Sequence, residues 1–104
     1  MTCTEIKNFL VGVDPTIERY ESSRSNKNAY TVWYELGTTD HFADGENAGI
    51  TRFQVDRFTK KENDTVAAAI YAALQDRDDI AFHYDVDYEP DTGYIHHIFD
   101  CEGC

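Results

Sequence analysis

The sequence predicts an α+β domain, with two helices packed on one face of a largely antiparallel sheet, and three observations carry that expectation. Residues 80–88, IAFHYDVDY, alternate apolar and polar side chains, the mark of a strand with one buried and one wet face. In TVAAAIYAALQ, residues 65–75, Val66, Ala67, Ile70, Tyr71, Ala73 and Leu74 fall on one helical stripe. At the start, TCTE (residues 2–5) has the spacing of a capping box, and Ile6, Phe9, Leu10 and Val13 follow at helical intervals. A chain of 104 residues has room for one core, so 1–104 is read as a single domain.

The elements follow in order. An N-terminal helix occupies residues 1–13 and ends at Asp14-Pro15, because the residue before a proline is pushed out of the helical region. Residues 14–23 fit a strand or a further helical turn, and the pattern does not choose between them. SSRSNKN at 22–28 is a loop by its turn formers. AYTVWYEL, residues 29–36, sets Tyr30, Val32, Tyr34 and Leu36 against Thr31, Trp33 and Glu35 and is rich in β-branched and aromatic residues, so it is a strand. Residues 37–51, GTTDHFADGENAGIT, hold three glycines and no periodicity and are expected as a long loop. Strand alternation resumes through Phe53 and Val55, and Asn63 or Asp64 caps the second helix. On the strand at 80–88, Ile80, Phe82, Tyr84, Val86 and Tyr88 are expected on the core side. EPDTG at 89–93 turns the chain, with Gly93 free to take the left-handed conformation. A last strand, Tyr94 to Cys101, pairs back on its predecessor, and 102–104 form a short tail.

Composition excludes several functions. Twenty acidic residues against nine basic ones give a formal charge of −11, which repels a phosphate backbone, so no nucleic-acid partner is expected. No apolar run approaches bilayer length and no signal-peptide pattern opens the chain, so no membrane partner is expected. In a reducing cytoplasm the odd count of three cysteines points to free thiols.

The stretch richest in chemistry is GYIHHIFDCEGC, residues 93–104. Adjacent strand residues point to opposite faces, so His96 and His97 do not converge on one ion, and a single C-x-x-C lacks the partner pair of a zinc site. Asp100 and Glu102 flank the cysteines and disfavour a thiolate. The thiols are therefore read as incidental. His41 with Asp40 and Asp44, and His83 with Asp85 and Asp87, read as solvated surface in an acidic chain. No nucleophile elbow, phosphate loop or dinucleotide fingerprint is present. No catalytic residue, metal or cofactor is expected, and the chain is not read as an enzyme.

AYTVWYEL, HFADGE, TRFQVDRFTKKEND, IYAAL and DYEPDTGYIHHIFD, in this order and spacing, resemble the small tail completion proteins of long-tailed phages and prophages, also described as tail terminator or tail-to-head joining proteins. The likeness spans most of residues 17–100 and is most specific in FQVDRFTK and YEPDTGYIHHIFD. Arg57 departs from the pattern, since an apolar residue commonly follows the aspartate there. The resemblance implies an α+β fold and a hexameric ring of this chain at the head-proximal end of the tail. There it would cap the tail tube protein and dock the head connector protein. It also implies a place in the virion, assembled in the host cytoplasm. The long loop 37–51 is then the expected contact element, with Asp40, His41, Phe42 and Asp44 as contact residues. Two other classes compete: a small acidic module that binds or inhibits a basic protein, and a small zinc protein built on the terminal cysteines.

Overall fold

The computed structural model describes residues 1–23, 27–43 and 46–103, and the side chains of 38–43 and 46–49 lie outside that description. The chain runs α1 (Cys3–Val13), β1 (Glu18–Arg19), β2 (Ala29–Ala43), β3 (Glu46–Thr59), α2 (Thr65–Gln75), β4 (Ile80–Glu89) and β5 (Tyr94–Gly103). The strands form one sheet in the order β1-β2-β3-β5-β4. Only the β1–β2 pair is parallel; the other three are antiparallel. Two helices on a largely antiparallel sheet make the α+β architecture that the periodicities predict.

Each helix starts where its cap dictates. Thr2 and Glu5 form the full capping box, the Thr2 hydroxyl accepting from the Glu5 N–H and the Glu5 carboxylate from the Thr2 N–H. Asp64 takes the second cap, accepting from the Ala67 N–H at 2.9 Å. Ile6 and Leu10 of α1 and Ala67, Ile70 and Leu74 of α2 are buried. They pack with Trp33, Phe53, Val55, Ile80, Phe99 and Cys101 into a single cluster. Cross-strand register places Trp33, Val55, Phe99 and Tyr84 side by side, so the core lies on one face of the sheet, under both helices. Within residues 14–23 only Glu18–Arg19 form a strand, β1, followed by Tyr20 at φ 66; the rest are turns, bends and irregular chain. Gly93 sits at φ 78 and donates to the Glu89 carbonyl at 2.8 Å, closing the β4–β5 turn as its sequence predicts.

The structure corrects three expectations and places one residue that the family pattern left open. Residues 37–51 are not a loop: β2 runs on to Ala43, β3 begins at Glu46, and the two stay in register from Gly37↔Arg52 to Ala43↔Glu46. The register shifts between Glu35 and Gly37, and Gly37 takes φ 135, a conformation that glycine adopts without a Cβ clash. The tail at 102–104 is also shorter than expected, because β5 pairs with both neighbours as far as Gly103. Cys104 lies outside the described residues. Val86 and Tyr88 share the core side of β4 but stay exposed, at 49% and 59%. Tyr71 of α2 reaches only Phe82 and Tyr84, with ring centroids 5.3 and 5.4 Å away, so nothing described covers the far half of the strand. Arg57, the departure from the family pattern, points into the core side and is buried with Asp64 as its partner.

Candidate functional site

Three regions could carry function: the chemistry-bearing C-terminal strand, the sheet face away from the helices, and the β2–β3 ribbon. In β5, His96 and His97 point to opposite faces. His97 lies on the helix side, with the Tyr84 hydroxyl 2.7 Å from its Nδ1. Burial and the nearby Arg57 hold its pKa below the ordinary histidine value, against the pull of Asp64. His96 lies on the other face, stacked on Phe58 with ring centroids 4.1 Å apart. Its Nε2 is 3.0 Å from Asp56 Oδ1, close enough for an ion pair but without hydrogen-bond alignment.

Cys101 is fully buried in the core, its thiol directed at the Phe99 carbonyl. Burial, and then Asp100, push its pKa far up, which removes any nucleophilic thiolate. Cys3 sits on α1, part-buried, and donates to Glu35. The two therefore differ in what serine does to them. Cys101→Ser places a hydroxyl in a dry site and is expected to cost about 1–3 kcal/mol. Cys3→Ser should stay within about 0.5 kcal/mol. Urea unfolding of the two variants checks the contrast, and equal midpoints would remove the core role given to Cys101.

Among the described residues, no group of three or more His, Cys, Asp and Glu side chains gathers closely enough to hold a metal ion. His83, Asp85 and Asp87 share the open face of β4 and are exposed. That face carries a band of aromatic contacts: Tyr30 stacks on Phe58 at 4.7 Å, and Tyr94 meets both edge-on. Asp56 lies beside it, 5% exposed, and accepts from Gln54 Nε2 at 2.9 Å. Buried acid and stacked rings here finish a sheet surface; among the described residues no nucleophile and base face each other across it.

The ribbon is different in kind. β5 leaves β3 at Thr51↔Gly103, and β1 touches β2 only at Val32 and Trp33. From Thr39↔Ile50 to Ala43↔Glu46 the two strands have, among the described residues, only each other in the ladder, so a two-stranded arm projects from the domain. The described chain is accordingly elongated, with principal extents of 50 × 24 × 24 Å. The arm's root is tied down: Thr51 donates to the Met1 carbonyl at 2.6 Å, and the Met1 side chain packs so closely on Gly103 that a Cβ there would meet its sulfur at 2.6 Å. Of the expected contact residues, Asp40, His41 and Phe42 lie in the arm, opposite Gly49, Ala48 and Asn47, with their side chains outside the described residues. Asp44 lies outside them altogether.

No family model and no curated protein matches the chain. Among solved structures, the fold is similar to a chain of the virion of a native gene transfer agent particle. The TM-score is 0.62 and the identity 12%, over 90% of this chain and 81% of that one.

Proposed function

We propose that the chain is a structural protein of a phage-like virion, a tail completion subunit that caps the tail tube and joins it to the head connector. The observation that carries the reading is the projecting β2–β3 arm on a compact α+β body. A two-stranded ribbon is marginal in water by itself and exposes two unpaired edges. Such an arm gains stability by lying against another subunit. In a closed ring each arm meets a different surface of its neighbour, the heterologous contact that rotation closes. The fold shared with a gene transfer agent virion chain and the family-like order of motifs support the same role. The charge of −11 suits a ring whose lumen passes DNA without holding it. No residue is assigned a catalytic role, and the expected partners are further copies of the chain, a tail tube protein and a head connector protein. Asp40, His41 and Phe42 of the arm, and Asp44, which follows β2 in sequence, are assigned to those contacts.

Deletion of the gene from a phage that carries it tests the reading. Heads and tails should accumulate unjoined, with tails of uncontrolled length; normal virions from the deletion end the proposal.

A further inference from the structure

The outer edge of β4 runs the full length of the strand, Ile80–Glu89, without a described partner strand, and its two faces differ sharply. Hydrogen-bond parity shows which groups point outward. The Lys60 N–H donates to the Asn28 carbonyl at 3.1 Å, so even-numbered residues of β3 face β2 and odd-numbered ones face β5. Carried across the ladder, Arg57 bonds to His97 and Asp87 to His96, which turns the main-chain groups of Phe82, Tyr84, Val86 and Tyr88 away from the sheet. Two of these outward N–H groups are occupied. Val86 N–H donates to Asp85 Oδ1 at 3.1 Å, and Tyr88 N–H to Asp87 Oδ1 at 3.0 Å. An exposed edge is a template for strand addition, and inward-turned acids are one way of closing it.

The side chains specify what would open it. On the helix side, Tyr84, Val86 and Tyr88 make an apolar row that no helix covers beyond Tyr84. On the other side, Asp85 and Asp87 are exposed, with Glu89 next along the strand. A strand laid along β4 places alternate residues beside these two rows. We propose that β4 is a docking edge for an extended segment of another protein in which basic and apolar residues alternate. The cations draw Asp85 and Asp87 off the Val86 and Tyr88 N–H groups, which then bond to the incoming main chain. The same acids turn away a second copy of this chain: its β4 edge would bring a further Asp85 and Asp87, and its arm carries Asp40 and Glu46. Charge complementarity therefore selects a foreign, basic strand. This inference does not rest on the tail completion reading and can fail or hold without it.

Titration of the isolated chain with three end-blocked peptides tests it: alternating Lys-Val, alternating Glu-Val, and a block isomer with all lysines before all valines. Fluorescence anisotropy reports affinity, and amide hydrogen exchange reports the edge. Alternating Lys-Val should bind and slow exchange at Val86 and Tyr88; the block isomer should bind at least about tenfold more weakly, and Glu-Val not measurably. Val86→Pro removes one outward N–H and spares the β4–β5 ladder, so it should cost at least about tenfold in affinity. Asp85→Asn with Asp87→Asn, which leaves the backbone intact, should weaken binding by a similar factor. Failure of Lys-Val to bind overturns the proposal. So does block-isomer affinity equal to that of the alternating peptide, which would mean plain charge attraction, and so does unchanged binding in either variant.

Discussion

Arg57→Ala is expected to destabilise the chain by about 3–5 kcal/mol, the cost of leaving one charge of a buried pair alone. The guanidinium and the Asp64 carboxylate are each only 8% exposed, with Nε 2.9 Å and Nη2 3.3 Å from the two carboxylate oxygens. Asp64 is also the cap of α2, and Arg57 Nη1 donates to Thr31 Oγ1 at 3.1 Å, so one cation ties β2, β3 and α2 together. The paired substitution separates charge from packing. Arg57→Met with Asp64→Ser keeps a capping hydroxyl and removes both charges, so it should recover most of the loss, as replacement of whole buried ion pairs by apolar groups has done elsewhere. Chemical denaturation of the single and double variants checks this. A double variant as unstable as Arg57→Ala would show that the guanidinium stabilises through its contacts with Thr31 and the core rather than through the pair.

The same network gives the chain an acid limit. Burial works against the Asp64 carboxylate, but the hydrogen bonds from Arg57 and from the Ala67 N–H outweigh it and hold its pKa below the usual range. Asp14, which closes α1 beside Thr31, is in the same position: burial opposes its charge, and Thr31 and Thr16 more than compensate. A carboxylate with a depressed folded pKa contributes stability above its unfolded pKa and loses it as pH falls through the folded value. The stability from both groups is therefore complete at neutral pH and drains away on acidification below the ordinary carboxylate range.

Local signals read true where the physics is local. The Thr2–Glu5 box, the Asp64 cap, the Gly93 turn and the alternation through Ile80, Phe82 and Tyr84 all depend on neighbours within a few residues. Arg57 was opaque because its partner is on another element, seven residues on, and nothing in VDRF distinguishes a buried arginine from a solvated one. Cys101 reads as an incidental thiol at the end of the last strand, because its burial depends on β3 and β4 flanking β5 beyond it. Val86 and Tyr88 looked like core because alternation reports which face a side chain takes, not whether a helix reaches over it. The arm has one sequence signal, the Asp44-Gly45 dipeptide, a strong two-residue hairpin mark when strands flank it. Three glycines and scattered acids hid those strands, since an arm with no core of its own has no apolar alternation to show.

Excision of the arm should abolish head-to-tail joining and leave the domain folded. Thr39 and Ile50 are cross-strand partners near the root, and even-numbered residues of β3 bond toward β2, so replacing residues 40–49 with Asn-Gly closes the hairpin with a two-residue turn of the favoured kind. No residue of 40–49 belongs to the described core cluster, and the ties from Met1 to Thr51 and Gly103 remain. The melting transition of the shortened chain should therefore stay close to that of the full chain, with a stability change within about 0.5 kcal/mol. Supplied to a phage that lacks the gene, the full chain should restore infectious virions and the shortened chain should not. A milder change, a glycine-serine linker in place of residues 40–44, should reproduce the defect by removing the contact residues assigned to Asp40, His41, Phe42 and Asp44. Three outcomes are distinguishable: an unfolded shortened chain would make the arm part of the domain's own stability; normal virions from a folded shortened chain would remove its assembly role; and normal virions from the linker variant alone would place the contacts elsewhere in the excised segment, among residues 45–49.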